Sequence, residues 1–176
     1  GLKAGDNVVI GDLEFPSAVL AYTAYQRQGV EIRTVRHRNG CLPVEEYAKL
    51  VDKRTRVIAV STAQWCSGYR VDLKALTELA ESVGAYVAVD GCQSLGALEL
   101  DVKETGVHFV TTQGHKWLFS PMGSGFMYIR RDLIDKYDPN MVESCNLYKD
   151  PARQPYHHQP DLSLERDYAI RFVDTA

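Results

Sequence analysis

The sequence predicts an α/β protein built on a mainly parallel sheet with crossover helices. Six short runs rich in β-branched residues recur along the chain, and helical stretches separate several of them. Where strands and helices alternate, each helix returns the chain so that the next strand lies parallel to the last. With 45% hydrophobic and 24% charged residues, the 176-residue chain has the composition of a globular domain with a buried core.

The predicted strands are, in order, NVVIGD (7–12), EIRTVRH (31–37), RVIAVST (56–62), AYVAVDG (85–91), HFVTTQG (108–114) and GFMYIRR (125–131). One helix is predicted within PVEEYAKLVDKRT, between the second and third strands. Another is predicted within DLKALTELAESVG, because its leucines at 73, 76 and 79 fall on one helical face. Asp72 and Gly84 supply the N-cap and the C-terminal glycine of that second helix.

The regular pattern ends near Tyr137, after which prolines and aromatic residues follow without a period. We therefore predict that residues 1–136 form the core of one large domain. Residues 137–176 are predicted to be an irregular segment that leads toward a smaller domain. Because the chain opens almost directly on a strand and stops without a closing element, we expect it to be part of a larger protein.

Composition excludes several kinds of partner. The net charge is −3 and the pI is near 6.0, with neither a basic run nor a basic amphipathic helix, so we expect no nucleic acid and no membrane partner. No apolar run reaches the roughly 18 residues that cross a bilayer, and the start lacks the apolar core of a signal peptide. We expect a cytoplasmic protein with reduced cysteines and no metal site.

Polar residues follow four of the predicted strands. In open parallel sheets, ligands bind outside the carboxyl ends of the strands, so these residues are the candidates for a site. They are Glu14 and Phe15 after the first strand, Gln64 and Trp65 after the third, Asp90 and Gln93 after the fourth, and Thr111, Thr112, Gln113, His115 and Lys116 at the end of the fifth.

Asp90 and Lys116 are the strongest candidates for chemistry. A carboxylate that follows four apolar residues is costly unless a cation receives it. One interpretation is a plain ion pair with Lys116. The other is a pyridine cofactor, whose protonated ring nitrogen would meet Asp90 while its aldehyde forms a Schiff base with Lys116. Cys92 is interpreted as a packing residue and His108 as a surface residue.

The run from Val89 to Arg130 combines Asp-x-x-Gln, a His-Lys pair and a glycine loop before a strand: VDGCQSLGALELDVKETGVHFVTTQGHKWLFSPMGSGFMYIR. This run resembles the class V aminotransferases, pyridoxal-phosphate enzymes of fold type I. That family also includes cysteine desulfurases, selenocysteine lyases and isopenicillin N epimerase-like proteins. The resemblance extends from about Gly5 to Arg130 and implies the large cofactor domain of fold type I, incomplete in this chain, with pyridoxal 5′-phosphate as the cofactor.

The resemblance implies a role for each of five residues. Lys116 matches the Schiff-base lysine and Asp90 the partner of the pyridinium nitrogen, so these two are the predicted catalytic residues. Gln93 matches the residue near the phenolic oxygen of the cofactor, and His115 the histidine beside its phosphate. Phe15 stands where the family stacks a ring on the pyridine; desulfurases have a histidine there.

Four further cofactor contacts are implied less directly. Gln64 or Trp65 matches a polar residue near the cofactor, and we favour Gln64. Gln113 replaces a phosphate-binding serine, which makes Thr111 and Thr112 substitutes for that contact. Thr175 matches a threonine that reaches the phosphate of the neighbouring subunit, so a homodimer is expected. The family's phosphate-binding turn, substrate arginine and desulfurase cysteine loop are expected outside these 176 residues.

The resemblance leaves the reaction open. Phe15 and the stretch AQWCSGYR (63–70) favour transamination or epimerisation of an amino acid. A lyase of the cysteine desulfurase or selenocysteine lyase type is the alternative, and a non-catalytic fragment that keeps only the fold is another. A different α/β enzyme, in which Asp90 and Lys116 form an ion pair, ranks last, because no Walker A or GxGxxG run is present.

Overall fold

The computed structural model describes residues 1–134 and 136. Its strands are Asn7–Gly11 (β1), Glu31–Val35 (β2), Thr55–Ser61 (β3), Tyr86–Asp90 (β4), Phe109–Gln113 (β5) and Gly125–Ile129 (β6). Its α-helices are Pro16–Thr23 (α1), Val44–Ala48 (α2), Leu73–Ser82 (α3), Val102–Thr105 (α4) and Arg131–Ile134 (α5), and a 3₁₀ helix covers Ala24–Gln28.

The strands form one six-stranded sheet in the order β2-β1-β3-β4-β5-β6. The pairs β1–β2, β1–β3, β3–β4 and β4–β5 are all parallel, which confirms the predicted mainly parallel α/β fold. In the register, Ser61 lies opposite Asp90, and Asp90 lies opposite Thr111. The carboxyl ends of β3, β4 and β5 are therefore side by side.

The two faces of the sheet carry separate apolar clusters, because successive residues of a strand point to opposite faces. On one face, Val9, Ile58 and Val87 pack with the helices of the β2–β3 and β3–β4 connections. On the other face, Val8, Ile10 and Ala59 pack with Val19 of α1 and with neighbouring tyrosines. The first cluster is the main core.

Helix α3 follows the sequence prediction closely. Leu73 and Leu76 are buried, and Leu79 packs against the same core while partly exposed. The carboxylate of Asp72 accepts a hydrogen bond from the backbone N–H of Ala75 at 3.0 Å, as an N-cap does. Gly84 follows the helix with a positive φ of 76°, a conformation that favours glycine. Both predicted ends of the helix are confirmed.

Three α-helices were not predicted from the sequence: α1, α4 and α5, and the last of these begins at Arg131, where the sixth strand was predicted to continue. Helix α1 begins at Pro16, a residue suited to the first helical position, but no residue of the helix is buried, so it lacks the apolar stripe by which helices are recognised. Helix α4 has only four residues, and Asp101 caps it by accepting hydrogen bonds from the N–H groups of Lys103 and Glu104.

The interpretation of His108 as a surface residue is wrong. Its side chain is 1% exposed, and its Nδ1 accepts a hydrogen bond from the backbone N–H of Val87 at 3.1 Å. The ring also lies edge-on to Tyr86, with 5.0 Å between the ring centroids. A histidine directly before a strand can therefore be part of the core when a neighbouring strand supplies a polar partner.

The chain divides into two compact units, Gly1–Tyr128 and Ile129–Ala176. Of the second unit, the structure describes the end of β6, helix α5 with its buried Leu133 and Ile134, and Lys136. The predicted division at residues 136 and 137 stays a prediction, and the predicted irregular segment 137–176 lies outside the described residues. Among residues 1–134 and 136, no helix is both long and apolar enough to cross a membrane.

Candidate functional site

The predicted site residues gather at one edge of the sheet, where β1, β3, β4 and β5 end. These strands run in the same direction, so the segments that follow them emerge together. The edge carries Glu14 and Phe15 after β1, Gln64 and Trp65 after β3, Asp90, Cys92 and Gln93 at and after β4, and Gln113, His115 and Lys116 at and after β5.

Lys116 lies against an aromatic pair. Its Nζ is 5.5 Å from the centroid of the Phe15 ring, and that ring lies edge-on to Trp65, with 5.7 Å between the centroids. Phe15 is 40% exposed and Trp65 is 50% exposed, so both rings line open space. An ammonium above an exposed ring gains about 0.5–1 kcal/mol. The structure thus places the Phe15 ring beside the one amine that the sequence singled out.

Asp90 is held in place by its own backbone turn. Its Oδ1 accepts a hydrogen bond from the N–H of Cys92 at 2.8 Å, and the Sγ of Cys92 accepts one from the N–H of Gln113 at 3.2 Å. Within the described residues, Lys116 forms no ion pair with Asp90 and lies over Phe15 instead. This arrangement counts against the interpretation of the two residues as a plain ion pair.

Cys92 does not have the character of a reactive thiol. Burial raises the pKa of its thiol, and the adjacent Asp90 carboxylate raises that pKa further, while the backbone N–H of Gln113 and the charge of Lys116 lower it only in part. Because the thiolate is the nucleophilic form, a raised pKa leaves this cysteine unreactive at neutral pH. The arrangement agrees with a packing role.

A cavity of about 390 Å³ lies along the sheet face beneath α1. It reaches the carboxyl ends of β4 and β5, at the edge of the sheet where the predicted site residues gather, which we call the site edge. Three predicted cofactor-binding or catalytic residues line it: Asp90, Thr111 and Gln113. Its other lining residues are Ile10, Glu14, Ser17, Ala18, Ala21, Tyr22, Ala59, Val60, Ala88, Val89, Cys92, Phe109 and Thr112. The small side chains of Ala59 and Ala88 leave room above the sheet.

Gln64 does not reach into open space. It is 1% exposed, and its Nε2 donates a hydrogen bond to Glu14 at 2.6 Å. Its Oε1 is buried without a partner among the described residues. Trp65, the residue that we ranked below Gln64, is the one that lies beside Phe15. The cofactor role proposed for Gln64 stays a prediction, and its Oε1 is an acceptor available for such a contact.

The segment that carries His115 and Lys116 is tightly packed. Gly96 has a φ of 98°, and a Cβ built on it would collide with the backbone carbonyl of Trp117. A Cβ on Gly114 would lie 2.8 Å from the Cβ of Ser120. The loops after β4 and β5 therefore touch backbone to backbone, which fixes the position of the His-Lys pair. Gln93 and His115 are half-buried on these loops.

The residues present fit a pyridine aldehyde. Such a group needs an amine for covalent attachment, a carboxylate for the ring nitrogen and a flat wall for the ring. Lys116, Asp90 and Phe15 supply these at one edge, next to a cavity that is lined in part by polar side chains. Their individual roles stay predictions, and Thr175, the predicted contact across a dimer, lies outside the described residues.

Residues 1–158 match the family model Aminotransferase class-V. The chain belongs to this family. A probable cysteine desulfurase of Methanothermobacter thermautotrophicus is 32% identical over 141 residues, which are 80% of this chain and 35% of the relative. The chain therefore spans about a third of the length of such relatives.

Solved structures resemble this chain in fold. The cysteine desulfurase CsdA from Escherichia coli superposes with a TM-score of 0.78 at 21% identity, over 97% of this chain and 43% of the other, and shows the same fold. The cystine C–S lyase C-DES, in complex with cysteine persulfide, superposes with a TM-score of 0.72 at 25% identity, over 81% of this chain and 39% of the other. A variant of that lyase carries glycine covalently linked to its PLP cofactor. Pyridoxal phosphate, predicted from the sequence, is the cofactor of this family.

Proposed function

We propose that the whole protein is a pyridoxal-phosphate enzyme that acts on an amino acid, with Lys116 as the residue that holds the cofactor. The main observation is that Lys116 Nζ lies 5.5 Å from the centroid of the Phe15 ring. Both residues are at the site edge, where Asp90 ends β4. Membership of the class V aminotransferase family supports it.

Each of the three residues has a defined task in this proposal. The bound cofactor supplies an electron sink for bonds broken at the substrate Cα. Asp90 would keep the ring nitrogen protonated, and Phe15 would cover one face of the ring. The Nζ of Lys116 would take the proton from the substrate Cα and return it to a carbon of the substrate.

For the reaction, we propose cleavage of a carbon–sulfur bond in a cysteine-type substrate. The relatives named cysteine desulfurases and the neighbouring C–S lyase support this lyase alternative more than the transamination or epimerisation that the sequence favoured. Transamination or epimerisation remains the second candidate, because Phe15 occupies the stacking position at which the resemblance gives desulfurases a histidine.

The first experiment tests the attachment of the cofactor. The purified full-length protein is mixed with pyridoxal phosphate and reduced with borohydride, and the labelled lysine is mapped by mass spectrometry. We expect the label on Lys116, its loss in Lys116→Ala, and its retention in Lys103→Ala, which removes an exposed lysine of α4. A label distributed over several lysines, or none at all, would refute the proposal.

The second experiment identifies the reaction. With L-cysteine and a reducing thiol, carbon–sulfur cleavage releases sulfide together with alanine or pyruvate. Transamination would instead require a 2-oxo acid acceptor, and epimerisation would produce the D-enantiomer without sulfide. Sulfide formation that depends on Lys116 supports the lyase proposal. A 2-oxo-acid-dependent product or a D-amino acid, without sulfide, would favour the second candidate.

A homodimer is also proposed, and it rests on the resemblance at Thr175 alone. Light scattering on the full-length protein at micromolar concentration checks it. A monomeric mass with cofactor bound would contradict a site shared between two subunits.

A further inference from the structure

Glu14, at the site edge, is a buried carboxylate without a cationic partner among its hydrogen-bond donors. It is 5% exposed, and all of its hydrogen-bond donors are uncharged. The backbone N–H of Ser61 lies 3.0 Å from both carboxylate oxygens, the Ser61 hydroxyl donates to Oε2, and Gln64 Nε2 donates to Oε1 at 2.6 Å. These donors come from residues 47 and 50 positions further along the chain.

Such a carboxylate is costly to bury. Burial raises the pKa of Glu14, the hydrogen bonds from Ser61 and Gln64 lower it in part, and the negative charge of Asp90 raises it. A neutral residue would avoid this cost if the position needed only packing. The carboxylate has one property that an apolar side chain lacks, since it can accept several hydrogen bonds from a neighbouring strand end at once.

The bonds of Glu14 connect the two segments that carry the aromatic pair. Phe15 directly follows Glu14, and Trp65 directly follows Gln64. Phe15 and Trp65 lie edge-on at 5.7 Å, and Phe15 is the ring over which Lys116 lies. A shift of either strand end would therefore change the distance between the aromatic pair and the Nζ of Lys116.

We propose that Glu14 is a positioning residue of the cofactor site, which holds the ends of β1 and β3 together and so sets Phe15 and Trp65 against Lys116. This inference rests on the proposed function, because Lys116 and Phe15 must contact the cofactor for their spacing to matter. Glu14 acts on the site through Phe15 and Trp65, and Gln64 donates a hydrogen bond to it.

The test compares three variants of the full-length protein and uses Trp65→Phe as the reference for the near-UV band. Glu14→Gln replaces one acceptor oxygen with a donor group that faces the amide of Gln64. The double variant Glu14→Gln/Gln64→Glu exchanges the two groups, so that the new amide accepts from the Ser61 N–H and donates to the new carboxylate. Glu78→Gln, on the exposed face of α3, is the matched control for loss of a carboxylate.

Three quantities are measured for each variant: the dissociation constant for pyridoxal phosphate, the near-UV circular dichroism of the cofactor-free protein and its melting temperature. We expect Glu14→Gln to weaken cofactor binding about tenfold or more, since hydrogen bonds to a charged group are lost. We also expect it to change the same near-UV band that Trp65→Phe changes. The double variant should recover most of both effects, and Glu78→Gln should show neither.

The outcomes separate this inference from the proposed function. If wild-type protein takes the borohydride label on Lys116, but Glu14→Gln keeps the dissociation constant and the near-UV band, the positioning role is refuted alone. A lower melting temperature with both other quantities unchanged would show a purely structural role and would also refute it. If no label forms on Lys116 in the wild type, the proposed function fails and the positioning role fails with it.

Discussion

The two faces of the sheet differ in how many apolar residues they bury. Among the described residues, fifteen buried apolar residues form the cluster on the α2 and α3 face, and only four form the cluster on the α1 face. On the α1 face lies the cavity, which is lined in part by the buried carboxylate of Glu14 and by the ends of β4 and β5. Because burial of apolar surface is the main favourable term in folding, the first face supplies most of the stability.

Substitutions on the two faces should therefore have different effects. On the α2 and α3 face, truncation removes packing and leaves the site edge in place. At the site edge, changes should alter the position of a few side chains at a smaller cost in stability.

Leu76→Ala should have the largest effect. Leu76 is fully buried in the main core, and such truncations cost about 2–5 kcal/mol through lost burial and the cavity left behind. Urea denaturation measures the change, and the affinity for pyridoxal phosphate of the protein that remains folded should be unchanged. Leu20→Ala on α1, where the side chain is 68% exposed, should cost less than about 0.5 kcal/mol. Equal losses at the two leucines would contradict the difference between the faces.

Gly96→Ala should follow, and it should affect both stability and the site. The new methyl group would collide with the backbone of Trp117, next to Lys116, and the residue would be forced to keep a positive φ. We expect a loss above about 1 kcal/mol together with weaker cofactor binding. Gly68→Ala is the control, because Gly68 also has a positive φ but open space around its Cα. A Gly96→Ala protein as stable as the control would show that the two loops can separate.

The pH dependence of stability should reveal the buried carboxylate. Because the pKa of Glu14 is raised in the folded state, the folded protein holds a proton that the unfolded chain has already lost. This contribution is present below the ordinary pKa of a glutamate and is lost as the pH rises through the raised value. One such proton changes the slope of the free energy of unfolding against pH by at most about 1.4 kcal/mol per pH unit.

Urea denaturation between the ordinary glutamate pKa and neutral pH measures this slope. Glu14→Gln should flatten the decline in stability with rising pH, whereas Glu78→Gln should leave it unchanged. An unchanged slope in Glu14→Gln would show that Glu14 titrates at the same pH in both states.

Asp72→Ala should have the smallest effect. It removes the hydrogen bond to the N–H of Ala75, and loss of an N-cap typically costs about 1 kcal/mol. Lys74→Ala, on the exposed side of the same helix, should change stability by only a few tenths of a kcal/mol. Thermal unfolding followed by circular dichroism is sufficient to compare them. A cost at Asp72 no larger than at Lys74 would mean that water replaces the cap.

Local features of the chain were predictable because they depend on neighbouring residues. The strand runs, the spacing of Leu73 and Leu76, and the cap at Asp72 all reflect interactions within a few residues. Helix α1 escaped prediction for the same reason, since it has no apolar stripe and only Pro16 marks its start. At the site, the pattern around Asp90 and Lys116 indicated the family, which the comparisons confirmed.

Three features were predictable from the amino-acid sequence: the class of fold, the edge of the sheet at which polar side chains collect, and the residues that indicate the chemistry. Periodicity and covalent spacing are enough for the first two, and the resemblance to a known family supplies the third. Three other features depend on contacts between distant residues and were not predicted: Glu14 bonds to Ser61 and Gln64, Phe15 contacts Trp65, and His108 is buried. The physical reason is strand order: β1 lies beside β3, and so residues about fifty positions apart become hydrogen-bond partners.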